Sequence, residues 1–97
     1  MEAILKRPGE PAKVVSLGTA DDIRKLLGGE FVPAPILRGA QVLTLASGDN
    51  LYYNTTFLGY RYCGPLLIVG RGENDRIISL SKSIQRLTLK ALGSDKR

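Results

Sequence analysis

The sequence predicts an α+β fold: a mostly antiparallel sheet with two helices, in the order β-β-α-β-β-β-β-β-α. Three observations lead there. Short β-branched and aliphatic runs bounded by Gly, Pro, Asn and Asp recur along the chain. Most follow one another with no helical stretch between them, as antiparallel hairpins do, which implies helices packed on one face of the sheet. Helical spacing of apolar residues occurs in two places, after Thr19 and after Ser81. A chain of 97 residues suits one core, so residues 1–93 are expected to form a single domain and residues 94–97 a polar tail.

Residues 2–7 and 13–17 read as the first two strands, joined through Arg7-Pro8-Gly9-Glu10-Pro11. Proline fixes φ at the second turn position and glycine supplies a positive φ at the third, so Pro8-Gly9 suits a type II turn. Thr19 then caps a helix, with Asp22 three residues on as a capping-box variant and Asp21 and Asp22 at the positive end of the dipole. Ile23, Leu26 and Leu27 form its apolar face, and Gly28-Gly29 ends it. Residues 30–37 must be extended, because Pro33 and Pro35 disfavour helical predecessors and donate nothing to a ladder; an edge strand or a crossing segment fits.

Gln41–Ala46 and Leu51–Leu58 are the next strands, joined by a hairpin loop at residues 47–50. Alternation places Leu51, Tyr53, Thr55 and Phe57 on the core side. Gly59-Tyr60-Arg61-Tyr62-Cys63-Gly64 reads as a link into Pro65–Val69, whose unbroken apolar run predicts a central strand buried on both faces. Residues 70–75 form a turn and residues 76–80 a last strand. Ser81 or Ser83 caps a final helix with Ile84, Leu87, Ala91 and Leu92 as its apolar face, ended by Gly93.

Composition excludes whole classes of chemistry. There is no histidine and a single cysteine, which removes the usual neutral-pH base, the usual zinc donor sets and any intramolecular disulfide. A reducing, cytoplasmic setting is expected, with no leader segment and no membrane span, since the longest apolar run is far short of ~20 residues. The formal charge is +5, and residues 49–97 carry eight basic against four acidic side chains. That balance suits anionic partners and also plain solubility.

Candidate catalytic groups do not assemble. Cys63 has no histidine to activate it and reads as a small buried residue at a strand start. Asp21 and Asp22 are explained by capping; Glu73 and Asp75 lie in a turn beside arginines. Gly70-Arg71-Gly72 matches neither the dinucleotide nor the P-loop spacing, although a turn flanked by Arg71 and Arg76 has the chemistry to hold a phosphate. No catalytic residue, metal ligand or cofactor is expected. Tyr52, Tyr53, Tyr60, Arg61 and Tyr62, with Asn54 among them, form the densest cluster of recognition chemistry. Tyrosine and arginine stack on bases and also dominate protein interfaces. The bland alternative is that Tyr53 and one other tyrosine fill the core with hydroxyls at its rim.

Arg7-Pro8-Gly9-Glu10, Leu26-Leu27-Gly28-Gly29 before Phe31-Val32, Leu51-Tyr52-Tyr53-Asn54, Cys63-Gly64-Pro65-Leu66-Leu67-Ile68-Val69-Gly70 and Ser79-Leu80-Ser81 occur in an order that resembles a family of small uncharacterised proteins. That family, a domain of unknown function, is carried mostly by phages, plasmids and other bacterial mobile elements. The resemblance spans nearly the whole chain, which departs from the usual pattern in being basic. It implies a genomic setting and an accessory role, with no reaction attached.

The functional expectation is a non-enzymatic phage or mobile-element protein of counter-defence. Its ligand would be an anionic nucleotide-type signal, sequestered by Arg61, Arg71, Tyr52, Asn54 and Tyr62, with a homodimer interface supplying the pocket. The alternative is a protein–protein inhibitor of a host defence enzyme such as a CRISPR nuclease. A nucleic-acid binder ranks third: Lys82, Arg86 and Lys90 make one basic stripe on the last helix, but a solvated face opposite Ile84, Leu87 and Ala91 accounts for it.

Overall fold

The fold is given by a computed structural model that describes residues 1–46 and 52–92. The expected loop at residues 47–50, residue 51, the helix stop at Gly93 and the tail at residues 94–97 lie outside the described residues. Among the described residues eight strands and two α-helices run β1 (Glu2–Lys6), β2 (Lys13–Ser16), α1 (Ala20–Leu27), β3 (Phe31–Leu37), β4 (Ala40–Leu45), β5 (Tyr53–Phe57), β6 (Tyr60–Cys63), β7 (Leu66–Arg71), β8 (Ile77–Ile78) and α2 (Lys82–Leu92). The α+β class and the mostly antiparallel sheet are as the sequence predicts. β6 is an additional strand where the sequence suggests only a link.

The main sheet has the order β2-β1-β7-β4-β3, and β8 pairs with the end of β7. β7 is central and buried from Leu66 through Gly70, because Leu66-Leu67-Ile68-Val69 offers apolar side chains to both faces. Registered rows make the two faces explicit. Ile4, Ile68 and Val42 line up across β1, β7 and β4 on one side, and Leu5, Leu67 and Leu43 on the other. β3 is an edge strand, as its prolines require: Pro33 pairs with Leu43 and Pro35 with Gln41, and among the described residues β3 has no neighbour on its outer side.

The helices do not share a face. α1 covers the Leu5, Leu67 and Leu43 side through Ile23 and Leu27, whereas α2 and the β5–β6 ribbon cover the Ile4, Ile68 and Val42 side through Leu92 and Phe57. The central strands are apolar on both sides, so each face needs its own cover. α1 begins with the capping box expected of Thr19 and Asp22 and ends at Gly28. The first connection is the expected turn: Glu10 N–H donates to Arg7 O at 3.1 Å, and Gly9 has φ 75°.

α2 is rotated from the apolar face read in the sequence. Gln85, Thr88 and Leu92 are its buried line, flanked by Ile84 and Leu89, while Leu87 is 66% exposed and Ala91 is exposed. Gln85 is accepted inside because its Nε2 donates to Leu80 O at 2.7 Å and to Glu2 Oε1 at 2.9 Å. A polar residue thus takes a core position by satisfying its donors, which no hydrophobic pattern reveals. Ser81 is the cap, its Oγ accepting from Ile84 N–H at 3.4 Å.

Candidate functional site

The β5–β6 ribbon lies off the main sheet and beside α2. Its strands pair Tyr53 with Cys63, Thr55 with Tyr62, Thr56 with Arg61 and Phe57 with Tyr60, and the register shifts between Tyr53 and Thr55. Asn54 is the extra residue of that bulge. A bulge reverses which side chains face the core, so simple alternation fails on this strand. Asn54 and Phe57 are buried, Thr55 is half-buried, and Tyr53 faces outward, against the expectation that Tyr53 shares the core side with Phe57.

Asn54 is therefore part of the frame. Its Nδ2 donates to Lys6 O and to Gly64 O, both at 2.7 Å, and its Oδ1 accepts from Lys6 Nζ at 3.0 Å. Both amide hydrogens are used within the fold. Lys6 in turn is buried and directs Nζ to Arg7 O at 3.0 Å as well. Tyr62 is half-buried: it packs against the core, and this partial burial, with Tyr60 nearby, pushes its phenol pKa up.

Arg71 stands apart from the tyrosines. It is the last residue of β7, and Gly64, to which Asn54 bonds, precedes the first. Arg71 Nε is 2.7 Å from Asp75 Oδ1, and the turn between them, Glu73–Asp75, is stabilised by backbone bonds of its own. The arginine expected to bind an anion has an internal one.

What remains on the outer face of the ribbon is Tyr53, Thr56 and Arg61. The Arg61 guanidinium lies over the Tyr53 ring, 4.7 Å from its centroid, and Tyr53 Oη is 3.0 Å from Thr56 Oγ1. Such a pair at an exposed site is worth roughly 0.5–1 kcal/mol and ties Arg61 to Tyr53 on the outer face. No described carboxylate lies within ion-pair distance of Arg61. Tyr52 is 83% and Tyr60 64% exposed at the two ends of the ribbon. Cys63 is exposed opposite Tyr53, contrary to the buried position expected of it.

At the tip, Leu58 and Gly59 make the two-residue turn with φ 51° and 84°. A type I′ hairpin turn requires positive φ at both positions, and Asn, Asp or Gly are the usual occupants of the first. Leu58 breaks that rule and is 50% exposed. The sequence reading attaches no role to Leu58; an apolar residue immediately before Gly59, between two strand patterns, was the signal available.

Among the described residues no group of three or more His, Cys, Asp or Glu side chains converges on a metal-sized site, and no helix is long and apolar enough to cross a membrane. Comparison with family profiles, with curated proteins and with solved structures returned no match.

Proposed function

We propose that the chain is a non-catalytic binding protein that holds an anionic, base-bearing ligand of the nucleotide type on the outer face of the β5–β6 ribbon. The observation that carries this reading is the Arg61 guanidinium resting on the Tyr53 ring, with no described carboxylate partner, and the exposed Tyr52 next to Tyr53 in the chain. A flat cation and adjacent aromatic rings supply a stacking surface for a base and a donor set for phosphate. Asn54, Tyr62 and Arg71 leave the ligand set, for they are engaged inside the fold or with Asp75. The resemblance to proteins of mobile elements supports a counter-defence role, in which such a ligand is sequestered and not turned over.

Thermal denaturation against mononucleotides, cyclic dinucleotides and cyclic trinucleotides tests this reading. A ligand at ~100 times its Kd stabilises the native state by roughly 2.7 kcal/mol. Recovery of the ligand unchanged, and loss of the shift in Arg61→Ala and Tyr53→Ala, is the expected result. No shift with any nucleotide refutes it.

A further inference from the structure

α2 and the ribbon touch each other and pack over the same face of the sheet, so both turn their exposed sides to solvent on that side of the molecule. Residues 52–64 and 82–92 contain Arg61, Lys82, Arg86 and Lys90 and no aspartate or glutamate. The ion pairs among the described residues lie elsewhere, save that of Lys82 with Glu2 at 2.8 Å. Arg86 and Lys90 are exposed and have no described carboxylate partner. On the opposite face, α1 carries Asp21 and Asp22 and ends near Glu30, with Arg24 held between Asp21 and Glu30. α1 also carries Lys25 and is balanced in charge, whereas the residues of the ribbon and α2 include cations and no carboxylate.

We infer that this layer binds single-stranded nucleic acid, with unpaired bases stacking on Tyr52 and on the Tyr53–Arg61 pair and the phosphate chain running on to Arg86 and Lys90 of α2. The inference rests on the nucleotide reading above and extends it from one base to a chain. Residues four apart on a helix are about 6 Å apart along its axis, so Arg86 and Lys90 present cations at a spacing comparable to successive phosphates of an extended strand. Leu87, 66% exposed within the same stripe, adds apolar surface of the kind that sugars and bases cover. Duplexes fit less well, because stacked and paired bases hide the faces that exposed tyrosines would contact. The sequence stripe alone is explained by solvation; its placement beside the aromatic ribbon is what the fold adds.

The test uses the intact chain and fluorescein-labelled oligo-dT and oligo-rU of about 15 nucleotides, matched to common site sizes. Anisotropy is expected to rise with protein. For three phosphate contacts the affinity should fall about 20-fold between about 50 and 200 mM salt. The double variant Arg86→Glu/Lys90→Glu should weaken oligonucleotide binding at least tenfold while leaving mononucleotide binding at Arg61 unchanged, and a duplex of equal length should bind more weakly than the single strand. Circular dichroism confirms that the variant, altered on an exposed helix face, remains folded. Mononucleotide binding with no gain for the oligonucleotide, or oligonucleotide binding insensitive to salt and to the double variant, overturns the inference and leaves the nucleotide reading standing. No binding of either overturns both and directs the search to a protein partner.

Discussion

Lys6 and Asn54 hold each other across the core by reciprocal bonds: the lysine Nζ donates to the asparagine Oδ1 at 3.0 Å, and the asparagine Nδ2 donates to the lysine carbonyl at 2.7 Å. Because Nδ2 also donates to Gly64 O, three segments, the end of β1, the start of β5 and the approach to β7, meet on one amide. Buried polar groups that lose a partner carry the full desolvation penalty, and bonds to charged groups contribute about 1.5–3 kcal/mol each. Asn54→Ala should destabilise the chain by about 3 kcal/mol, read as a shift in urea midpoint. Asn54→Asp should not restore it, since a carboxylate would face the Lys6 and Gly64 carbonyls without donors. An Asn54→Ala variant as stable as the parent would show that the ribbon is anchored by Phe57 and Tyr62 alone.

Gly70 sets how closely β8 approaches β7. A Cβ on Gly70 would stand 2.3 Å from Ser79 O and 2.7 Å from Ile78 O, distances at which backbone must move. β8 has only Ile77 and Ile78 in register with Arg71 and Gly70, so little else keeps it in place. Gly70→Ala should cost about 3 kcal/mol or more, in the range of severe overpacking. Faster amide exchange at Leu80, whose N–H donates to Glu2 O at 2.8 Å, would locate the damage at β8 and the entry to α2.

Leu58 is strained where Asn would be at ease. A left-handed backbone costs an L-residue with a Cβ roughly 1–2 kcal/mol, and asparagine less. Leu58→Asn is expected to raise stability by about 1 kcal/mol, or roughly 4–8 °C in Tm for a domain of this size. If the strain serves recognition, the same variant should weaken ligand binding at the ribbon. A stabilised variant with undiminished binding would make Leu58 a tolerated imperfection of the turn.

The central strand, both helix starts and the proline-bearing edge were legible because each rests on a local rule. An unbroken apolar run, a threonine cap with Asp22, and proline's missing donor act within a few residues. The ribbon was not, because one inserted residue inverts alternation and its cause, the Lys6–Asn54 clasp, joins positions far apart in sequence. α2's rotation escaped for a similar reason: Gln85 is buried by acceptors on Leu80 and Glu2 that no helical period announces. Of the five residues expected to bind ligand, Tyr52 and Arg61 are exposed on the ribbon, while Asn54, Tyr62 and Arg71 are engaged elsewhere. Composition identifies recognition chemistry but not which of its members the fold consumes.

Acid should loosen the two helix starts before the sheet. Hydrogen bonds from Lys82 and Gln85, with the Lys82 charge, hold Glu2 below its ordinary pKa, and the Gly18 and Thr19 backbone N–H groups do the same for Asp22. In both cases the folded value lies below the unfolded one. The stabilisation is therefore complete above the ordinary carboxylate range and is lost as pH falls through the folded values. Tyr62 has the opposite sign: its raised folded value means that the unfolded chain releases that proton first, so stability declines as pH rises past the ordinary phenol range. Tm measured across pH should fall at both ends. Glu2→Gln and Asp22→Asn should flatten the acid limb, and Tyr62→Phe the alkaline limb, each leaving the other limb in place. Parallel acid limbs in parent and carboxylate variants would mean that these contacts, exposed as they are, are screened by solvent, and that α2 is held on the sheet by Leu92, Ile84, Leu89 and the Gln85–Leu80 bond.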